Sequence, residues 1–475
     1  MTITTASLTN APQLRGLRGR VISPGDTDYD AARAMFYGGF DKRPGAIVRV
    51  ADASDVQRVV NYARETGVEL AVRSGGHSLY GASVSEGGLV LDLRDMRSIE
   101  IDAANATAWA ESGITAVEFS KAVGENDFAL SFGDTGSVGL GGLTLGGGVG
   151  YVVRKHGLTI DALLAADIVT ADGKLRRVDA NTEPDLFWAI RGGGGNFGVA
   201  TRFHYRLFPL GECFGGMFML PATPDVIRRF IELSAAAPEE LSTIANVMPA
   251  PPMPFLAPEH HGKLVVFAIV LYAGPASAGE KVVAPLRALA TPIVDMVKPM
   301  RYAEIYPPED DTYHPIAYGH TMFVDEVDAK AAELIVRELS VPSTAMFKVA
   351  QIRVLGGAMA RVPVEATAFA HRRSEIMVNC AAVYKDASEE PQHAAWVKKF
   401  AGKLRQSDGG AYVNFLAQDA KERVRDAYPG ATYDRLAAIK RRYDPTNLFR
   451  LNANIAPNSE SAQGAQGAPQ GQGSR

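Results

Sequence analysis

The sequence predicts an α+β fold in two parts, and three observations carry that prediction. A strand–helix–strand unit runs over residues 46–72 and ends on a glycine turn. Beyond about residue 211 glycine becomes sparse, and apolar strands alternate with helices in the manner of an antiparallel sheet with its own helices. From about residue 410 the motif style of the first part returns. The expected divisions are an N-terminal segment at 1–41, a first domain at 42–211, an inserted domain at 212–410, a return at 411–457 and a disordered tail at 458–475.

The elements follow in order. Pro44 and Gly45 open a strand at 46–50. Residues 52–54 read as a helix N-cap, VQRVVNYARETG repeats apolar residues at helical spacing, and Gly67 stands where a C-terminal glycine belongs. The chain then runs as a strand from 68 to 72. Short strands are expected at 88–93 and 99–101 and a helix at 118–125. The stretch 134–150 is too glycine-rich for regular structure and reads as a ligand-wrapping loop. A buried strand at 163–170 turns back through Ala171-Asp172-Gly173 into 175–178. A short helix at 185–190 and an alternating strand at 198–208 complete the first part. In the second, prolines cluster at 249–257, a strongly apolar strand spans 264–272, helices lie near 278–290 and 328–340, and strands are expected at 355–358 and 369–380. No internal repeat is present.

Composition bounds the function. The chain has 475 residues, 47% hydrophobic and 21% charged, as in ordinary globular proteins. The net charge is −4 with no basic run, which argues against nucleic acid. No apolar run is long enough for a membrane span, and the first residues lack the apolar core of a signal peptide, so the cytoplasm is the expected location. Two cysteines, Cys213 and Cys380, make no disulfide framework and read as buried thiols of a reducing compartment. The tail NSESAQGAQGAPQGQGSR is too polar to pack. The remaining histidines, such as His156, His204, His260, His261, His314, His320 and His371, show no metal-ligand spacing, and no metal is expected.

Chemistry concentrates in three glycine turns. Residues 72–78 read Val-Arg-Ser-Gly-Gly-His-Ser, residues 133–151 GDTGSVGLGGLTLGGGVGY and residues 192–198 GGGGNFG. Glycine inside regular structure costs about 0.5–1 kcal/mol relative to alanine, so such clusters belong where backbone lies against something. A long ligand with a pyrophosphate and flat rings satisfies that requirement, with backbone N–H groups facing phosphate. A nicotinamide-binding Rossmann unit requires G-x-G-x-x-G between a first strand and a helix, with an acidic residue about 20 residues on, and GLGGLT at 139–144 does not meet it.

With these motifs in place the chain resembles the FAD-linked oxidases of the vanillyl-alcohol-oxidase type, in the berberine-bridge-enzyme-like branch. The matching segments are RSGGHS (73–78), VGLGGLTLGGGVGY (138–151), AADIVTADG (165–173), DLFWAIRGGGGNFG (185–198), YVNF (412–415) and YDPTNLFRLNANI (443–455), in the family's order. The resemblance implies a two-part FAD-binding domain with an inserted α+β substrate domain on an antiparallel sheet.

It also implies roles. His77 is bonded covalently to the 8α-methyl carbon of the flavin. Many relatives add a cysteinyl bond; the aligned position here is Thr135, so a single tether is expected. Arg73, Ser74, Gly75, Gly76, Ser78, Ser137, Gly141, Gly142, Thr144 and Gly147 contact the pyrophosphate and ribityl chain; Gly193, Asn196 and Gly198 close the pocket; Ile168 and Val199 meet adenine. For each glycine a plain turn requirement is the competing account. Val138 aligns with a position near the reactive flavin carbon, where a small residue resembles oxidases that admit dioxygen. Tyr412 and Asn414 lie on a strand against the ring system. Tyr412 takes a hydroxyl or amine proton; Glu375, Asn379 and Tyr384 are alternatives by position. Asn452 and Asn454 hold backbone and flavin. The reading is an FAD-dependent oxidase acting on a small-molecule substrate and O2, with alcohols, sugars, phenolics and amines open. A dehydrogenase of the same fold with another acceptor and a non-catalytic flavin-binding protein are the alternatives.

Overall fold

The computed structural model describes residues 14–310, 312–407 and 410–457. The expected tail at 458–475 and the first thirteen residues of the N-terminal segment lie outside the described residues.

The first lobe is built on two sheets. Strands Ala46–Arg49 and Leu70–Arg73 both run parallel to Leu89–Asp92, which lies between them, and Arg20–Ile22 pairs antiparallel with Ala46–Arg49. The helix Ala53–Thr66 connects the first two strands. Asp52 caps it by accepting from the Asp55 amide, and Gly67 ends it at φ +72°, a left-handed conformation that favours glycine. Its buried face, Val56, Val59, Val60 and Ala63, packs on Leu70, Leu89 and Leu91. A second, antiparallel sheet has the order Ile99–Asp102, Thr107–Glu111, Val199–Arg206, Leu163–Val169, Leu175–Asp179.

The second lobe is one antiparallel sheet of eight strands. Its order is Val294–Asp295, Glu212–Pro221, Leu264–Tyr272, Leu241–Pro249, Phe347–Val354, Ile376–Tyr384, Ile316–Val324, with Lys298–Arg301 also paired to Glu212–Pro221. Helices Pro224–Ala236, Ala276–Arg287, Ala329–Ser340 and Glu390–Leu404 pack against it around Phe218, Phe230, Leu286 and Ile335. The chain then returns: Ala431–Tyr443 forms a helix whose Leu436 and Ala437 join the first lobe's core beside Trp188.

Three local expectations are corrected. Within 134–150, residues Leu140–Gly146 form a helix, because Leu140, Leu143 and Leu145 are buried on different sides of it in the first lobe's core and the glycines let the backbone close on its neighbours. Residues 355–358 are not a strand: Gly356 and Gly357 lie at φ +89° and +58°, and a short helix starts at Ala358. The expected strand at 369–380 begins only at Ile376, since the preceding residues are tied to the first lobe. There Ala368 donates to the Arg191 carbonyl at 3.0 Å, and the fully buried Arg372 forks onto both oxygens of Asp161 at 2.8 Å.

Candidate active site

A cleft of about 460 Å³ lies where the two lobes meet. Strand Leu70–Arg73 delivers the chain into Ser74-Gly75-Gly76-His77, with Gly76 at φ +78°. This turn packs face to face with the start of the second glycine segment. A Cβ on Gly75 would stand 2.2 Å from the Gly139 amide nitrogen, so no larger residue fits there. Ser74 Oγ stitches the two together by donating to the Ser112 carbonyl at 2.6 Å and accepting from the Gly141 amide at 3.1 Å. Gly194, Gly195, Asn196 and Gly198 add a third wall. The C-terminal return supplies Phe449, Leu451, Asn452 and Ala453.

His77 is held from two sides. Phe36 stacks on its ring at 4.2 Å between centroids, and Nε2 lies 3.0 Å from Ser137 Oγ. Burial pushes its pKa down to about 4, against the raising effects of the Ser137 contact and the Asp134 charge. The ring is therefore neutral at physiological pH and keeps a nitrogen lone pair.

Tyr412 is buried deeper in the cleft. Its hydroxyl oxygen accepts from the Gly148 amide at 3.0 Å and from Asn414 Nδ2 at 3.0 Å. Burial raises its pKa, while these donors and the Arg353 charge act in the lowering direction. Asn414 also donates to the Leu143 carbonyl at 3.1 Å, fastening this segment to the helix Leu140–Gly146. The YVNF segment is a 3-10 turn, Val413–Phe415, and not the expected strand, because its backbone bonds close locally, Phe415 N–H donating to the Tyr412 carbonyl at 2.9 Å and Leu416 N–H to the Val413 carbonyl at 3.3 Å.

The opposite wall comes from the second lobe's sheet. Asn246, Gln351 and Asn379 stand at matched register on three adjacent strands. Gln351 Nε2 donates to Asn246 Oδ1 at 3.0 Å, and Arg353 donates to Gln351 Oε1 at 2.8 Å and forms an ion pair with Asp134. Gln351, Asn379, Asp134 and Tyr37 line the cleft.

Comparison with known proteins places this geometry. Residues 44–179 match the model of the FAD binding domain, and residues 411–456 match that of berberine and berberine-like proteins. The chain is 30% identical to the (R)-6-hydroxynicotine oxidase of Paenarthrobacter nicotinovorans, over 93% of its length and 97% of that protein's. The chain belongs to the berberine-bridge-enzyme-like family of FAD-linked oxidoreductases. A solved structure of 6-hydroxy-D-nicotine oxidase from Arthrobacter nicotinovorans superposes with a TM-score of 0.82 at 28% identity, covering 94% of this chain and all of that one. The xylooligosaccharide oxidase of Thermothelomyces thermophilus is 27% identical over 94% of this chain and 93% of its own. This protein is thus an FAD-dependent oxidoreductase with the mixed fold of that family.

The residues present fit FAD. Buried Asn452 Oδ1, in a residue lining the cleft on the first lobe's side, has no hydrogen-bond partner, the condition expected of a group that a bound ligand satisfies. Gly142 has open space where its Cβ would be, so backbone is presented to the cavity.

Of the residues the sequence brought forward, Ser74, Gly75, Gly76, His77, Ser78, Thr135, Val138, Gly141, Gly142, Asn196, Gly198, Val199, Tyr412, Asn414 and Asn452 line the cleft. Others do not. Arg73 is fully buried and turned away. Its guanidinium is spent on the carbonyls of Ala32, Arg33, Ala34 and Ser83, which ties down the N-terminal segment and leaves the side chain outside the cleft. Thr144 is bonded to the Tyr205 hydroxyl at 2.7 Å inside the core. Gly147 faces Phe369 and Tyr412, and Ile168 lies beneath Gly198. Gly193 backs onto Ala189, and Ser137 stands behind His77. Glu375 is exposed outside the cleft. Tyr384 is stacked on His393 at 4.8 Å in the far core of the second lobe. Neither is positioned as a base. Tyr37, Asp134, Gln351 and Arg353 are the cleft residues and neighbours that sequence reading missed. A glutamine and an arginine two apart in FKVAQIRV, on one edge of an apolar run, were the available signal.

Among the described residues no group of three histidine, cysteine or acidic side chains is placed to hold a metal ion, and no helix is long and apolar enough to cross a membrane. Cys213 and Cys380 are buried outside the cleft, and burial pushes the Cys213 thiol up to about 12.

Proposed function

We propose that the protein is an oxidase whose FAD is bonded through His77 alone, and that it oxidises a small substrate at a carbon bearing OH or NH. The observation that carries this reading is one cleft that brings together the neutral His77 ring, three glycine walls and the Tyr412 hydroxyl. Bound FAD supplies the redox chemistry, taking a hydride from the substrate carbon and passing two electrons to O2, with a carbonyl or imine and hydrogen peroxide as products. The chain supplies the rest. Tyr412 receives the hydroxyl or amine proton, and the two donors on its oxygen stabilise the charge it carries when deprotonated. Gln351, Asn379 and Tyr37 orient the substrate through hydrogen bonds. Asn452 holds the cofactor side. Thr135, where a cysteine would be needed for a second bond, supports the single tether. Val138, a small side chain on the cleft wall, supports access of O2. The named relatives act on 6-hydroxynicotine and xylooligosaccharides, which supports small polar substrates, cyclic amines and sugars first among them. Two unjoined, buried thiols support a cytoplasmic setting.

The test is anaerobic mixing of the yellow protein with a panel of alcohols, sugars, phenols and cyclic amines, followed by admission of air. The expected result is flavin bleaching by a member of the panel, then rapid recovery with one peroxide formed per substrate oxidised. Bleached flavin that persists in air but recovers with a quinone or dye would replace the oxidase by a dehydrogenase.

A further inference from the structure

We propose that Glu309, on the second lobe, is a positioning residue that acts through Ser137 to set the His77 ring for attachment of the flavin. The proposal rests on the reading that His77 carries the tether. Glu309 lies 172 residues from Ser137 in sequence, on the loop that precedes strand Ile316–Val324. Its carboxylate grips Ser137 twice, with Oε1 accepting from the Ser137 amide at 2.9 Å and Oε2 accepting from Ser137 Oγ.

The donor inventory then decides the tautomer. A carboxylate only accepts, so the single hydroxyl proton of Ser137 is committed to Glu309. Toward His77, Ser137 Oγ is left as an acceptor, and at 3.0 Å it takes the proton on Nε2. Nδ1 is therefore the nitrogen with the free lone pair, on a ring whose plane is fixed by Phe36. Without the carboxylate the Ser137 hydroxyl is free to donate to Nε2, which favours the opposite tautomer and occupies the wrong nitrogen.

The same chain has an outlet for the proton that attachment releases. As Nδ1 bonds to the flavin methyl carbon, one C–H bond of that methyl breaks. Its hydrogen would leave as a proton to water, and bound FAD would supply the path by which the electron pair reaches O2. The imidazole, made cationic by the new bond, loses its Nε2 proton to Ser137 Oγ while the hydroxyl proton moves to Glu309. The two hydrogens lost and the electron pair equal one hydrogen peroxide per tether. Because Glu309 is on the second lobe, attachment is coupled to correct seating of that lobe on the first.

The experiment uses full-length protein expressed in flavin-starved cells, to which FAD is added. The flavin that stays with the polypeptide after acid precipitation is followed in time, beside the affinity for untethered FAD. Glu309→Gln is expected to slow attachment about tenfold or more, the scale of losing a positioned proton acceptor, with FAD affinity little changed. Glu309→Asp should recover part of the rate. Ser137→Ala should be slow, and Ser137→Ala with Glu309→Gln no slower than Ser137→Ala alone, as one shared path requires. Attachment at the wild-type rate in Glu309→Gln overturns the relay while leaving the tether intact. Loss of FAD affinity in Glu309→Gln also overturns it, making the contact a loop brace. Absence of attached flavin in the wild type removes the tether reading itself.

Discussion

Tyr412→Phe is expected to lower kcat by about 10²–10⁴-fold, the usual contribution of a positioned general base, with FAD still bound. The hydroxyl oxygen receives the Gly148 amide and Asn414 Nδ2, each at 3.0 Å, an arrangement that favours negative charge on it. Burial opposes that charge and holds the pKa above the ordinary tyrosine value. The group is thus a phenol at neutral pH. A base is active when deprotonated, so the wild-type rate should climb through the alkaline range as the phenol loses its proton. In Tyr412→Phe this climb should be absent. Leaving the two buried donors without an acceptor also costs stability, on the order of 1–3 kcal/mol for each. A purely structural tyrosine would lower thermal stability and flavin content but leave the slope of the pH–rate profile unchanged. The pH dependence of kcat in the two proteins separates the two accounts.

Lys440→Met is expected to destabilise the first lobe by about 3–5 kcal/mol, the cost of breaking a buried ion pair from one side. Lys440 and Asp444 are both fully buried, with Nζ 2.7 Å from Asp444 Oδ2. The same ammonium donates to the Asn196 carbonyl at 2.7 Å and the Phe449 carbonyl at 2.9 Å. Asp444 receives the Leu448 and Phe449 amides at 2.8 and 2.9 Å. One lysine thereby ties the helix Ala431–Tyr443 to the third glycine wall and to the segment carrying Asn452. Methionine fills the volume but leaves the buried Asp444 charge without its cation and the Asn196 carbonyl without its donor. Chemical denaturation should show an earlier midpoint, and equilibrium titration of flavin-starved protein should show weaker FAD binding, because Asn196 and Phe449 line the cleft.

Where sequence and structure agree, a residue type had one physical use. Gly67 and Gly76 occupy positive φ, and Asp52 is a helix cap, so their roles were visible locally. The apolar run Leu264–Tyr272 had only a sheet interior to enter. Disagreement arises where tertiary contact overrode a local preference. The glycines of Leu140–Gly146 read as loop, yet they serve close packing: a Cβ on Gly146 would fall 2.1 Å from Asn414 Oδ1, and one on Gly141 3.0 Å from Ser74 Cβ. Arg73 precedes the glycine turn, where backbone contact with phosphate is expected, but it does not line the cleft and its side chain is claimed by four carbonyls. Position on the second lobe's sheet also suggests Tyr384, but it stands five residues from Asn379 along the same strand. At about 3.3 Å per residue that removes it some 16 Å from the cleft. Gln351 and Arg353 are not legible in the sequence, because the strand Phe347–Val354 is broken by polar residues and their meaning depends on Asn246 and Asn379 across the sheet.

The central claim, a flavin joined to the chain by His77 alone, is tested most directly by acid denaturation of the purified protein. The denatured chain is then run on a denaturing gel and viewed for flavin fluorescence. A fluorescent band is expected in the wild type, in Cys213→Ser and in Cys380→Ser, and none in His77→Ala, whose flavin should wash out with the acid. A wild-type band without fluorescence, or a His77→Ala band that retains it, would mean that His77 is not the single tether.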